Sequence, residues 1–296
     1  MVSPDLMAMF EDLERNSEPK SKDVIVRAPF GYPGGKSRSA DKILPHLPYR
    51  DSYIEVFGGT GIILLSRHKS PLEVFNDRYA GVVAFYRCLN DRHKMDALCD
   101  RLEITLHSRE EFVWCKETWL TCEDDVERAA RWFYMTQYSF GSKGRNFGRS
   151  VTARGHMAGK IQNRIKEFPR LHERMVKVQV ENQEWQDCLA DYDNPDAVFY
   201  LDPPYIDAYP GTYKHEMAQQ DHRLMLDIIF GMKGFVALSG YSNPLYEACD
   251  WDHRFEWEVF ISIKGAAFTE GNNKQDMESQ DKRGHATEVL WVKEAR

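Results

Sequence analysis

The chain has 296 residues, a formal net charge of −7, 42% hydrophobic residues and six cysteines. That length buries a large core in one domain or two, which excludes a small module held together by cross-links or metal. No apolar run is long enough to span a membrane and no signal-peptide pattern opens the chain. The cysteines have no paired spacing, so they read as reduced thiols of a cytosolic protein. The ten histidines are scattered without a ligand motif, so no metal is expected.

Residues 1–27 are acidic, then polar, and read as an N-terminal helix and linker without evident chemistry. The turn-rich Pro29-Phe30-Gly31-Tyr32-Pro33-Gly34-Gly35-Lys36-Ser37 follows. It places Lys36 at a loop or helix start, either as a point charge for a carboxylate or as a plain surface lysine. Ser52 to Phe57 reads as a strand, Gly58-Gly59-Thr60-Gly61 as a turn, and Ile62 to Leu65 as the start of a helix. A strand, glycine turn and helix bring backbone N–H groups close to a nucleoside. The turn lacks the third glycine of a dinucleotide fingerprint and the Gly-Lys-Ser/Thr of a P-loop. Leu72 to Phe75 is a second strand, ending at Asn76-Asp77. There Asp77 either accepts from ribose hydroxyls or caps the helix from Ala80 to Leu89.

Residues 91–140 read as helical, with Ser108 and Glu111 in a capping pattern and acids leading Asp124 to Met135. The stripe Trp132, Phe133, Tyr134 reads as core rather than as a base platform. From Lys143 to Lys177 the chain turns basic, through Lys143, Arg145, Arg149, Arg154, Lys160, Arg164, Lys166, Arg170, Arg174 and Lys177, opposed only by Glu167 and Glu173. Local charge of this kind is rewarded by duplex DNA through counterion release, although a solvated helix face explains residues 161–177 equally well. Phe140 to Arg149 combines glycines, aromatics and Arg/Asn, and reads as a hairpin or loop laid in a groove, with Lys143, Arg145, Asn146, Arg149 and Arg154 as DNA contacts.

Ala197 to Leu201 is a short apolar strand, and Asp202-Pro203-Pro204-Tyr205 stops it. A carboxylate and an aromatic ring therefore sit on a stiff turn at the carboxyl end of a strand, where open α/β sheets bind ligands. A nucleobase amine is a poor nucleophile because its lone pair is delocalised. Asp202 and the Pro203 carbonyl are suited to accept its two N–H bonds and free that lone pair, and Tyr205 offers a face for stacking. An Asp-capped turn with a packed Tyr is the plain alternative. Residues 265–285 form a polar, glycine-bearing insertion between two strands, which either closes over DNA or links a hairpin.

The order Pro-Gly-Gly-Lys, Phe-x-Gly-x-Gly, Asn-Asp, long middle segment, Asp-Pro-Pro-Tyr resembles the Dam-type DNA adenine-N6 methyltransferases, over about residues 28–95 and 175–294. Val236 to Asn243 and the closing Glu288-Val289-Leu290-Trp291 are similar to the same family. The resemblance implies an α/β, doubly wound, mostly parallel sheet with one antiparallel edge, and S-adenosylmethionine as cofactor. It implies a cofactor-binding catalytic domain over residues 28–95 and 175–296, with a target-recognition insertion over 96–174. By the same resemblance Tyr32, Lys36, Phe57, Gly59, Gly61, Asp77 and Asp202 contact the cofactor. Glu184-Trp185 stands where the family has an acid-aromatic pair beside the cofactor adenine, with Glu for the commoner Asp and Trp for the commoner Phe. Asp202, Pro203, Pro204 and Tyr205 become the catalytic turn, and double-stranded DNA the partner, in the cytoplasm of a bacterial or phage-infected cell. The alternatives are an adenine methyltransferase acting on RNA and a non-catalytic DNA-binding protein with the same fold. A nicotinamide-dependent oxidoreductase would not account for the Pro-Pro-Tyr turn.

Overall fold

Three strands are buried along almost their whole length: β1 (Ser52–Glu55), β2 (Leu72–Asn76) and β4 (Ala197–Leu201). Continuous apolar strands of this kind belong in a parallel sheet covered on both faces. The computed structural model describes residues 26–150, 157, 159–206, 215–262 and 283–296. In it these strands join β3 (Gln179–Glu181), β5 (Phe235–Tyr241), β6 (His253–Ser262) and β7 (Arg283–Lys293) in one seven-stranded sheet, ordered β3-β2-β1-β4-β5-β7-β6. The first five run parallel, with Ile54 of β1 between Val74 of β2 and Phe199 of β4. β7 is antiparallel to β5 and β6 to β7, so β7 alone runs against the sheet; the expected single antiparallel strand is there, inserted between β5 and an outermost β6 that runs with the others. The expected doubly wound α/β architecture is the one observed.

Side-chain alternation along each strand feeds two cores. Tyr53, Phe75, Val198, Tyr200, Ala237 and Leu290 face a cluster with the helices Ala80–Asn90, Arg92–Glu103, Asp125–Gln137 and Phe168–Met175. Ile54, Val74, Phe199, Leu201, Val236, Leu238 and Trp291 face the other, with the helices Trp185–Tyr192 and Gln219–Gly231. Trp132, Phe133 and Tyr134 are all buried, as a core stripe should be. Phe133 stacks on Phe85, and Trp132 meets Phe30 edge-on. Gly81 is what lets Trp132 in: a Cβ there would lie 2.1 Å from Trp132 Cδ1. Gly81 lies in the first turn of the helix Ala80–Asn90, and the absence of a Cβ there allows the two helices to approach closely.

The middle segment packs into the same core as the sheet. The boundary expected between residues 95 and 96 lies within the helix Arg92–Glu103, which Asp91 caps by accepting from the N–H groups of His93 and Lys94. The Ser108 cap on the helix Arg109–Thr118 is present as expected. Among the described residues, no helix is long and apolar enough to cross a membrane. The N-terminal extension, apart from residues 26 and 27, and most of the 265–285 insertion lie outside the described residues.

Candidate active site

Strand order reverses between β1 and β4, so the loops leaving these two strands diverge and open a crevice at their carboxyl ends. On the β1 side, Gly58-Gly59-Thr60-Gly61 turns the chain into the helix Ile62–Ser66. Gly59 and Gly61 hold φ of 51° and 62°, left-handed values that L side chains resist. The Gly58 N–H donates to the Asn76 carbonyl (2.8 Å), which ties the turn to the end of β2. Asp77 then accepts from the Gly59 N–H (2.7 Å) with one oxygen and from the Tyr79 N–H (2.7 Å) with the other. Asp77 is thus both a local turn-former and the brace of the glycine turn. Burial pushes its carboxyl up to about 6, against the pull of those two N–H groups.

Glu55, at the end of β1, is a second buried acid. It accepts from the Leu64 N–H (2.7 Å) and the Tyr53 hydroxyl (3.0 Å), and burial pushes it up to about 8. It did not stand out in the sequence; a charged residue closing a buried strand is the signal that could have found it, since such a residue is usually paired.

On the β4 side, Asp202 leaves the strand with its carboxylate against Lys36. The ammonium donates to both Asp202 oxygens at 2.6 Å and to the Gly34 carbonyl at 3.1 Å, and lies 3.4 Å from Glu288 of β7. Ser239 of β5 donates to Asp202 at 3.1 Å. Lys36 is 4% exposed. Burial works against its charge, but Asp202 and Glu288 outweigh that and raise its pKa. For Asp202 burial is the larger influence and raises the carboxyl, while Lys36 pulls it back. The Tyr205 hydroxyl donates to Glu288 (3.0 Å), its ring lies 4.8 Å from the Lys36 ammonium, and Tyr241 meets it edge-on.

Both turns line a single cavity. Of the expected residues, Tyr32, Lys36, Phe57, Gly59, Asp77, Glu184, Trp185, Asp202 and Pro204 line it. Gly61 does not; it is pressed against Tyr86 and Phe75, where a Cβ would lie 2.8 Å from the Tyr86 hydroxyl. Pro203 and Tyr205 are also outside the lining, the latter turned toward β7. Glu184 pairs with Arg78 at 2.9 Å at the rim, and Trp185 is buried with its helix in the second core cluster. The sequence reading missed Ser239, Glu288, Gln183 and Gln186. The side-chain oxygens of the two glutamines, both in the cavity wall, are buried and lack a protein partner.

The basic segment divides in two. Ser139 and Phe147 form an antiparallel bridge, and the Gly148 N–H donates to the Tyr138 carbonyl, so residues 139–148 do form a hairpin-like loop. Arg145, Asn146 and Arg149 are exposed on it and Lys143 is half-buried. The loop abuts the Pro-Gly-Gly-Lys segment: a Cβ on Gly31 would lie 2.5 Å from the Ser142 hydroxyl oxygen. The expected charge further on is partly internal. Arg174 pairs bidentately with buried Glu73, Arg164 donates to the Ala28 carbonyl, and Lys160 donates to the Gln137 carbonyl. Those three side chains serve the fold, because their partners lie within it. Arg154 falls outside the described residues.

Among the described residues no group of His, Cys, Asp and Glu side chains is arranged to hold a metal ion. Nothing among curated proteins matches the chain. Residues 32–252, most of the chain and both turns included, match the family described as D12 class N6 adenine-specific DNA methyltransferase. A doubly wound sheet, a glycine turn and a strand-end carboxylate sharing one crevice agree with that match: the chain belongs to the D12 class N6 adenine-specific DNA methyltransferases, and it is an enzyme of adenine methylation.

Proposed function

We propose that the protein transfers the methyl group of S-adenosylmethionine to the N6 amine of adenine in double-stranded DNA, at a short specific sequence, with the target base flipped out of the helix. The observation that carries this reading is that Asp202 and the Gly59 turn line the same cavity. An amine held by the first would meet a donor held by the second.

The cavity wall fits the cofactor. It offers an aromatic ring at Trp185, carboxylates at Asp77 and Glu184, and the unpartnered oxygens of Gln183 and Gln186, which are free to accept from an adenine amine or a ribose hydroxyl. Tyr32, Lys36, Phe57, Gly59, Asp77, Glu184 and Trp185 would hold it, with Gly61 shaping the turn from behind the cavity wall. When bound, it supplies an electrophilic methyl on a sulfonium centre. Asp202 and the Pro203 carbonyl accept the two N–H bonds of the target amine and free its lone pair. Tyr205 stacks on the extruded base. Flipping costs a few kcal/mol, offset by that stacking and by the two hydrogen bonds. The enzyme contributes orientation and placed charge.

Residues 96–174 serve as the target-recognition region, with Lys143, Arg145, Asn146 and Arg149 of the hairpin-like loop reaching the duplex. Arg154, outside the described residues, belongs to the same segment.

The test is to incubate the purified protein with duplex DNA and labelled cofactor, digest the DNA and identify the methylated nucleoside. N6-methyladenine confined to one sequence context supports the reading, and label on cytosine or only on RNA overturns it. Asp202→Ala abolishes transfer while cofactor binding persists; near-normal turnover in that variant removes Asp202 from its role.

A further inference from the structure

Residues 32–252 carry the family match, and the β6–β7 hairpin lies beyond them. Yet β7 delivers a carboxylate into the heart of the site. Glu288 is 4% exposed and surrounded by donors on every side. One of its oxygens accepts from the Tyr205 hydroxyl at 3.0 Å and faces the Lys36 ammonium at 3.4 Å. The other accepts from the Ser39 hydroxyl and from the Trp257 indole N–H at 3.2 Å. Ser39 and Trp257 fix the carboxylate from behind; Trp257 comes from β6, so the hairpin brings its own support.

An acid in the interior of a strand is expensive to bury unless every lone pair is used. Here four donors use them. Two belong to the rear wall and two to the residues assigned above to the reaction. Lys36 in turn grips both Asp202 oxygens. Glu288 therefore sits one bond from Tyr205 and two from Asp202 without lining the cavity itself.

We propose that Glu288 is a positioning residue for methyl transfer: it anchors Tyr205 by its hydroxyl and holds Lys36 between two carboxylates, which sets the Asp202-Pro-Pro-Tyr turn. The inference rests on the methyltransferase reading given above. Glutamine cannot replace it, because an amide has one acceptor oxygen and must turn its NH2 group toward one of the two donor pairs.

The charge arm of this role has a pH signature. Asp202 must be ionised to accept from the amine. Lys36, Glu288 and Ser239 contact it or its pair directly. Glu55, Tyr200, Tyr241 and Tyr246 face it at longer range. Of these, Glu288 opposes the Asp202 charge and Lys36 favours it. Removing the Glu288 charge leaves Lys36 to Asp202 alone, so Asp202 ionises at lower pH.

The experiment compares wild type, Glu288→Gln, Tyr205→Phe and the double variant at saturating DNA and S-adenosylmethionine across pH. Glu288→Gln is expected to lower kcat about tenfold or more. The double variant is no worse than Glu288→Gln alone, because both act through one contact. The acid limb of the Glu288→Gln profile moves to lower pH. A purely structural role would lower activity at every pH and leave the limb where it was. A kcat within about twofold of wild type, additive losses or an unmoved limb overturns the proposal. If Glu288→Gln does not fold, Tyr205→Phe carries the test, and wild-type kcat in it is a refutation. Wild-type protein that methylates no adenine overturns the enzyme reading and the role of Glu288 with it. Active wild type with an equally active Glu288→Gln overturns Glu288 alone.

Discussion

Lys36→Met removes a cation that faces two buried carboxylates. In the wild type its ammonium satisfies both Asp202 oxygens at 2.6 Å and approaches Glu288 at 3.4 Å. After the change Glu288 keeps Tyr205, Ser39 and Trp257, whereas Asp202 keeps only the Ser239 hydroxyl. Asp202 is thus the group left as an uncompensated buried charge. Breaking a buried pair by deleting one partner costs about 3–5 kcal/mol. Protonating Asp202 relieves that cost, so the variant's Asp202 holds its proton to higher pH than the wild type's. The sign follows: the folded variant binds more protons than the unfolded chain, and its stability deficit grows as pH rises. Urea unfolding at pH 5 and pH 8 measures the deficit, and the pH dependence of methyl transfer measures the acid limb, which is expected to move upward. A deficit below about 1 kcal/mol at pH 8, the scale of an exposed pair, together with an unmoved limb, would refute the reasoning.

Glu55 gives a second pH effect. Its carboxyl is raised by burial to about 8, so between about 4.5 and 8 the folded protein holds a proton that the unfolded chain has released, and stability falls as pH rises through that window. Glu55→Gln is expected to flatten this slope; equal slopes in urea titrations at pH 5 and 8 count against it. Gly81→Ala places a Cβ 2.1 Å from Trp132 and should destabilise by about 1–3 kcal/mol despite its better helix propensity. An equally stable variant would mean that the two helices are free to separate. Arg145→Ala and Arg149→Ala should each weaken DNA binding across all sequences and reduce the salt slope by about 0.9 if each contacts one phosphate. An unchanged slope removes the loop from the interface.

What was legible in the sequence was local. The strands beginning at Ser52 and Ala197, the glycine turn and the Asp-Pro-Pro-Tyr turn each announce themselves within ten residues, because sterics and proline fix them there. The contacts that organise the site are not local. Lys36 meets Asp202 across 166 residues, and Tyr205 meets Glu288 across 83. No pattern of neighbours encodes such pairs; the only trace is a charged residue where an apolar one belongs, as at Glu55 and Glu288. The far end of the basic segment shows the same limit. Arg174 looks like a surface charge until Glu73, 101 residues away, is seen to receive it. The start of the Arg92–Glu103 helix is marked in the sequence by Asp91 alone, a single cap within an otherwise helical stretch.

The β6–β7 hairpin at the sheet edge has a consequence for assembly. β5 reaches its antiparallel neighbour only after the chain has passed through β6, so the outer rim is the last part of the sheet to be synthesised. A nascent polypeptide that already has its glycine turn and Asp202 still lacks the strand that seats Tyr205. The contact between Tyr205 and Glu288 therefore forms only when that strand docks against β5, after every other strand of the sheet has been made.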